Sequence, residues 1–464
     1  MSAPSSPKIA FKSWQHRVRW YLARRTLGVA TIGGDDMEYA AGRAAIGARD
    51  PSGRARWLAL VGLVLAMASG MANGLRAEPS FQSFLAALRP EAEARGISHA
   101  TFDRETRGLE PDLSLPDLVR PGQPTGGSKG QAEFTVAPQD YVSDRRISQL
   151  AGEGRALAKG HAKALARIEK EIGVDGPVVL AIWGRETAFG KHKSRHDAIR
   201  VLATQAYTGR RKDLFRDELL HALKLIEDGR LKRSEMRASW AGAMGLTQFM
   251  PSEFFSSAVD MDGDGRVDLY GSVDDALGSA AKQLKNKGWI GGLPWGLEVK
   301  TGSRVDCANE GPDNAKPISE WARLGVRRAD GKPFARRYQS ASAYLMSPGG
   351  TYGPQFLVTE NFKVLRAYNT SDLYALFVGY LSDRIAGGGT FITPWAEIRQ
   401  LDPAGILEVQ TRLDRHGLSI AKLDGRIGSE TRLKIGLYQR ATGLSVDCWP
   451  SSKLLSAMRQ RAKQ

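Results

Sequence analysis

The chain has 464 residues, 42% of them hydrophobic and 25% charged, which supplies more than one packed core and exceeds one ordinary domain. Its formal net charge is +16, and residues 1–77, with 11 Lys/Arg against 4 Asp/Glu, carry +7 of it. Such a balance suits an anionic partner, but the Lys/Arg residues do not alternate with aromatics as in a nucleic-acid groove, so nucleic acid is excluded as the expected partner.

In chain order, the first signal is the apolar run Trp57–Met71, preceded by Arg54 and Arg56 and followed by Leu75-Arg76-Ala77 before Glu78. Charge, apolar run and small-residue site are the parts of a secretory signal, and the run is short for a bilayer span. The expectation is therefore a cleaved leader over 1–77, a single membrane anchor being the alternative. Phe81, Phe84, Leu85 and Leu88 recur at helical spacing, so 79–108 is expected to be helical. Pro, Gly and Ser concentrate in 111–131, an extended loop. Helical periodicity then dominates from Tyr141 to Leu284, and short alternating runs between Gly296 and Pro348 predict a small sheet or irregular insert. Helices resume over 368–385, Gly387-Gly388-Gly389 breaks the chain, and a short compact tail follows from Leu401. Cys307 and Cys448 form no CxxC and have no nearby His pair, which excludes a zinc site. Two separate buried thiols are expected, one bridge between domains being the alternative.

Three segments carry candidate chemistry. Pro177–Gly190 (PVVLAIWGRETAFG) opens with Pro and closes with Gly, as a helix does. Within it Val179, Ile182, Trp183 and Glu186 fall on one stripe, so a core-facing surface ends in a carboxyl group. A carboxyl sheltered by Trp183 and Phe189 keeps its proton more readily, which suits a general acid. Paired with a buried arginine or capping a helix, the same side chain is structural, and periodicity does not choose. Ser239–Ser252 (SWAGAMGLTQFMPS) combines small residues for close helix approach with the neutral hydrogen-bonding groups Ser239, Gln248 and Ser252, which suit a sugar. The third, Tyr344–Tyr374, clusters Gly and Pro with Tyr344, Tyr368 and Asn369 as candidate lining. Finally, Asp260, Asp262, Asp264 and Asp268 occupy positions 1, 3, 5 and 9 of an EF-hand-like loop with Gly265 at 6, but Gly271 stands at 12 where a glutamate belongs. A solvated Asp-Gly turn is the alternative.

GRETAFG, SWAGAMGLTQFMPS, the Asp/Gly loop and PGGTYGPQFLVTENFKVLRAYNTSDLYAL, in that order between about 80 and 390, resemble the lytic murein transglycosylase B family. The resemblance implies a mainly α (α+β) fold: a lysozyme-like helical catalytic domain with inserted subdomains over 78–392. It implies cleavage of the β-1,4 bond between N-acetylmuramic acid and N-acetylglucosamine in peptidoglycan, leaving 1,6-anhydro ends. Glu186 would be the acid and then the base, Ser239 and Gln248 would line the glycan groove, and Tyr344 and Tyr368 would lie near the reacting sugar. It further implies a longer calcium loop, closed by Asp274 and the backbone of Arg266; calcium there is structural, and catalysis needs no cofactor. Leu246 stands where many members carry a more polar residue. Residues 401–462, with Ile406, Val409 and Leu413 on one face and an Asp424-Gly425 turn, resemble the peptidoglycan-binding domain type 1, a three-helix module. Lys434 and Cys448 depart from its small residues. The expected protein is a periplasmic monomer that acts on glycan strands without a stable membrane anchor. A hydrolytic muramidase and a non-catalytic peptidoglycan-binding protein are the alternatives.

Overall fold

A computed structural model describes residues 80–119 and 135–461; the expected leader and its alternative as an anchor lie outside these residues. Chain order begins with helices α1 (Phe81–Ala94) and α2 (His99–Thr106). Next come α3 (Pro138–Tyr141), α4 (Asp144–Gly160), α5 (Ala162–Glu171) and α6 (Gly176–Thr187). Strand β1 (His196–Asp197) leads into α7 (Ala198–Thr208) and α8 (Lys212–Glu227), then β2 (Arg237–Ala238), α9 (Pro251–Ser257) and α10 (Val273–Asn286). A mixed insert follows with β3 (Gly296–Lys300), β4 (Lys316–Pro317), α11 (Ile318–Arg323), β5 (Arg327–Arg328), β6 (Ser342–Met346) and β7 (Gln355–Thr359). Helices α12 (Glu360–Tyr368) and α13 (Asp372–Ile385) return to the helical body, and α14 (Pro403–Arg415), α15 (Ser429–Ala441) and α16 (Ser452–Arg461) form the tail. Among the described residues no helix is long and apolar enough to cross a membrane.

Two cores divide the helical body. One gathers α4, α6 and α13 around Leu180, Ile182, Tyr374 and Phe377. The other joins α1, α2, α7 and α8 around Leu88, Phe102, Leu202 and Leu219. Alternation explains the insert: β3, β6 and β7 are antiparallel neighbours in the order β4-β6-β7-β3-β5. One face, carrying Val299, Leu345 and Leu357, packs on Trp321 of α11; Tyr344, Met346, Phe356 and Val358 point the other way, into the first core. The small sheet was legible from sequence, whereas the β1–β2 pairing inside the helical stretch was not, being only two residues long.

The tail closes around Val409, Leu413, Ile435 and Met458, as its apolar stripe predicts. It is bolted to the insert. Cys307 and Cys448 are joined by a disulfide, with Cα atoms 6.0 Å apart and both residues fully buried. This corrects the expectation of two separate thiols in favour of the single bridge, because a sequence separation of 141 hid their proximity. Gly436 allows the contact: a Cβ there would meet the Cys448 sulfur at 2.5 Å and Ala308 at 2.7 Å.

Candidate active site

Helix α6 ends abruptly. Ala188 (φ 48°) and Phe189 (φ 59°) both adopt left-handed backbone, turning the Phe189 ring back under the helix, edge-on to Trp183 with centroids 5.3 Å apart. Gly184 leaves room for that ring, since a Cβ there would meet it at 2.6 Å. Glu186 therefore sits in the last turn of a buried helix and is itself half-buried.

The next element across is α13, which packs along α6. From it the Tyr374 hydroxyl donates to Glu186 Oε1 at 2.5 Å. Burial and the negative charge of Glu186 hold the Tyr374 phenol well above its ordinary pKa, so it stays protonated and remains a donor. Tyr368, at the end of α12, stacks on Tyr374 with centroids 6.3 Å apart and planes 8° from parallel. Its phenol is also pushed up by burial and by Glu186. Arg185 turns to the other side of the helix, donating to the Tyr141 hydroxyl at 2.7 Å and lying 5.5 Å from the Tyr374 ring centre. Burial opposes its charge, but Tyr141 and Glu186 hold the guanidinium protonated.

The loop Ser239–Met250 lies where the two cores meet: Met244 and Phe249 belong to one, while Leu246 packs on the other. Thr187, next to Glu186, donates from Oγ1 to Leu246 O at 2.8 Å, and the Tyr368 hydroxyl donates to Thr247 O at 2.6 Å. These bonds tie the loop to the residues around Glu186. Gln248, at its tip with φ 55°, donates from Nε2 to Gly245 O at 2.9 Å and Ser194 Oγ at 3.2 Å. Ser239 Oγ accepts the Ala243 amide at 3.2 Å and so shapes the loop's base. Asn369 leaves α12 just after Tyr368, and its Oδ1 accepts the Ser371 amide at 3.3 Å.

The structure thus gathers Glu186, Tyr368 and the Gln248 loop, whereas Tyr344, on β6, stands edge-on to Phe362 in the first core. Period-2 alternation decides this, because Tyr344 shares its face with Met346. The tyrosine that sequence reasoning passed over is Tyr374; its spacing of six residues from Tyr368 crosses a helix break, so periodicity did not link them. Tyr374→Phe is expected to lower kcat tenfold or more with KM little changed, since a hydrogen bond to a charged group contributes about 1.5–3 kcal/mol. Steady-state kinetics on soluble glycan checks this, and an unchanged kcat removes the bond from the mechanism.

In the acidic loop, oxygens of Asp260, Asp262 and Asp264 fall within 4.8 Å of one another. Two oxygens on opposite sides of one Ca2+ stand about 4.8 Å apart, so these three carboxylates fit part of a calcium shell. Asp274 does not join them: its Oδ1 bonds His161 Nδ1 at 2.7 Å, because α10 begins at Val273 and turns that side chain toward α5. The acid that organises the loop is the next one, fully buried Asp275, which accepts the amides of Met261 (2.7 Å), Asp262 (3.2 Å) and Asp268 (2.8 Å). Arg266 turns its guanidinium to Glu235 at 3.0 Å.

A half-buried carboxyl at a helix end, bonded by a protonated tyrosine, is chemically able to act as a general acid and base. The chain belongs to the transglycosylase SLT domain family, which matches residues 80–383. It is similar to SltB3 from Pseudomonas aeruginosa, solved in complex with NAG-anhNAM-pentapeptide and with NAG-NAM-pentapeptide: 37% identity and TM-score 0.71 over 82% of this chain and 99% of that one. The soluble lytic transglycosylase SltB1 from the same organism gives 28% identity and TM-score 0.53 over 67% of this chain and 99% of that one. Membrane-bound lytic murein transglycosylase B of Escherichia coli (strain K12) is 31% identical over 224 residues, 48% of this chain. The match spans 60% of that relative's length. The fold is thus the lysozyme-like one expected.

Proposed function

We propose that this chain is a lytic transglycosylase that cleaves the β-1,4 bond between N-acetylmuramic acid and N-acetylglucosamine, leaving a 1,6-anhydro-N-acetylmuramic acid end. The observation that carries the reading is the Tyr374–Glu186 bond at 2.5 Å in a family whose member SltB3 was solved with an anhydro product fragment. Glu186 gives its proton to the glycosidic oxygen, and the substrate's N-acetyl group stabilises the anomeric carbon. The resulting carboxylate then takes the proton of the sugar's 6-hydroxyl, whose oxygen closes onto C1. Tyr374 donates to Glu186 once it is ionised, a charge-assisted bond. Water is not consumed. Mass analysis of muropeptides released from purified sacculi tests this: ends lighter by one water support it, and ordinary reducing ends mean a hydrolytic muramidase.

Ser239, Gln248, Tyr368 and Asn369 are the groove residues of this reading, the tail is a wall-binding module, and the enzyme works as a periplasmic monomer on glycan strands. Asp260, Asp262 and Asp264 would hold a structural Ca2+, which supplies no chemistry to the cleavage. Calcium is expected to stabilise the fold by roughly 2.7 kcal/mol when present at about 100 times its Kd, and so to raise the unfolding midpoint. Asp262→Asn is expected to erase that rise, and thermal melts with EGTA or added CaCl2 decide. An identical midpoint in both leaves an Asp-Gly turn.

A further inference from the structure

We propose that Arg432, supplied by the tail module, is a positioning residue for Glu186 that acts through Asp372 and Tyr374; the proposal rests on the acid/base reading above. Arg432 lies on α15 yet is only 2% exposed. Its guanidinium binds Glu310 of the insert, with Nε 3.1 Å from Oε1 and a close Nη2–Oε1 contact, and Glu310 is fully buried. The same Nη2 reaches Asp372 Oδ2 at 3.3 Å. Asp372 opens α13, and its other oxygen forms an ion pair with Arg366 of α12, Oδ1 to Nε 2.8 Å. Two residues further on stands Tyr374, whose amide bonds Ser371 Oγ at 3.3 Å and whose hydroxyl donates to Glu186. The first turn of α13 is therefore held from both sides, by Arg366 from within the catalytic body and by Arg432 from the module.

Charge bookkeeping shows why this cluster is sensitive. Two carboxylates and two guanidinium groups balance, with Glu310 and Arg432 buried and Arg366 at the cluster's open edge, so removing Arg432 leaves Glu310 buried without compensation. The disulfide keeps the module attached whatever happens to Arg432, so loss of the guanidinium relaxes the start of α13 without releasing the tail. A hydrogen bond weakens steeply as its geometry departs from linear, and small misplacements of catalytic groups are costly in rate. The module thus contributes to the chemical step and not only to wall attachment.

The test uses the full-length chain with Asp372→Asn, Arg432→Gln, Arg432→Lys and, as control, Arg440→Ala, which removes the more exposed Arg440–Asp306 contact of the same module. On soluble uncrosslinked glycan, Asp372→Asn and Arg432→Gln are expected to lower kcat about three- to tenfold with KM within twofold, Arg432→Lys to recover part of the loss, and Arg440→Ala to match wild type. Hydrogen exchange over residues 371–377 and 183–190 is expected to quicken in the first two variants alone. Wild-type kcat in Asp372→Asn and Arg432→Gln, an effect confined to KM or sacculus binding, or unaltered exchange overturns the proposal. If Arg432→Gln does not fold, Asp372→Asn decides, because it keeps the Arg432–Glu310 pair. A wild type that releases no anhydro ends sinks the activity assignment instead, and the coupling is then judged on exchange over 183–190.

Discussion

Glu186→Gln is expected to abolish release of anhydro-ended muropeptides from sacculi while leaving the protein folded and still co-sedimenting with the wall. Glutamine has nearly the same shape, and its side-chain oxygen still accepts from the Tyr374 hydroxyl, so the bond between α6 and α13 survives. The amide has no proton to give and none to take back. General acid/base groups contribute about 10²–10⁴-fold, and because one side chain performs both transfers here the loss belongs at the upper end. Mass analysis of released muropeptides against time measures it. Retained cleavage would remove Glu186 from the mechanism. Wall binding without cleavage in both wild type and variant would make the chain a binding protein.

The double variant Cys307→Ser/Cys448→Ser is expected to lose roughly 2–5 kcal/mol of stability and to expose the linker 386–402 to protease. Both sulfurs are fully buried and stand between the insert and the tail. With the bridge absent, docking keeps the Arg432 pairs to Glu310 and Asp372, the apolar contact of Ala308 with Leu437 and Val446, the Thr351 amide bond to Asp447 O at 3.1 Å, and the rim contacts Arg440–Asp306 and Tyr352–Asp447. Surface pairs of that kind contribute about 0–1 kcal/mol each, so the tail is expected to open before the catalytic body melts. Thermal unfolding with limited proteolysis checks this, and thiol titration of the wild type in denaturant should find two thiols only after reduction. A variant that melts and resists protease like wild type would show that the bridge adds nothing to docking.

The legible part of the site was local. Pro177 and Gly190 bound a helix, the stripe through Val179 and Trp183 names the face carrying Glu186, and the Asp loop declares itself by alternate acids within nine residues. Each signal lies within a few turns of chain, where helix and turn geometry set direction. The same logic mapped the insert as a small sheet and the tail as a helical module. It did not show which face of its strand Tyr344 takes: the side chain packs in the first core beside Met346. It failed again at Asp274 and Asp275, where one step along a helix start turns a carboxylate from the loop to His161.

What sequence alone determined is most of the elements, the acid on an apolar helix face, and the family resemblance that singled this face out. Only the tertiary structure decided which partners meet that acid across 188 residues of chain, and that Cys307, Glu310, Cys448 and Arg432 lock the tail to the body. The physical reason is range: backbone periodicity dictates which way a side chain points along one element, whereas contacts between elements depend on how whole cores pack, and no local pattern encodes that.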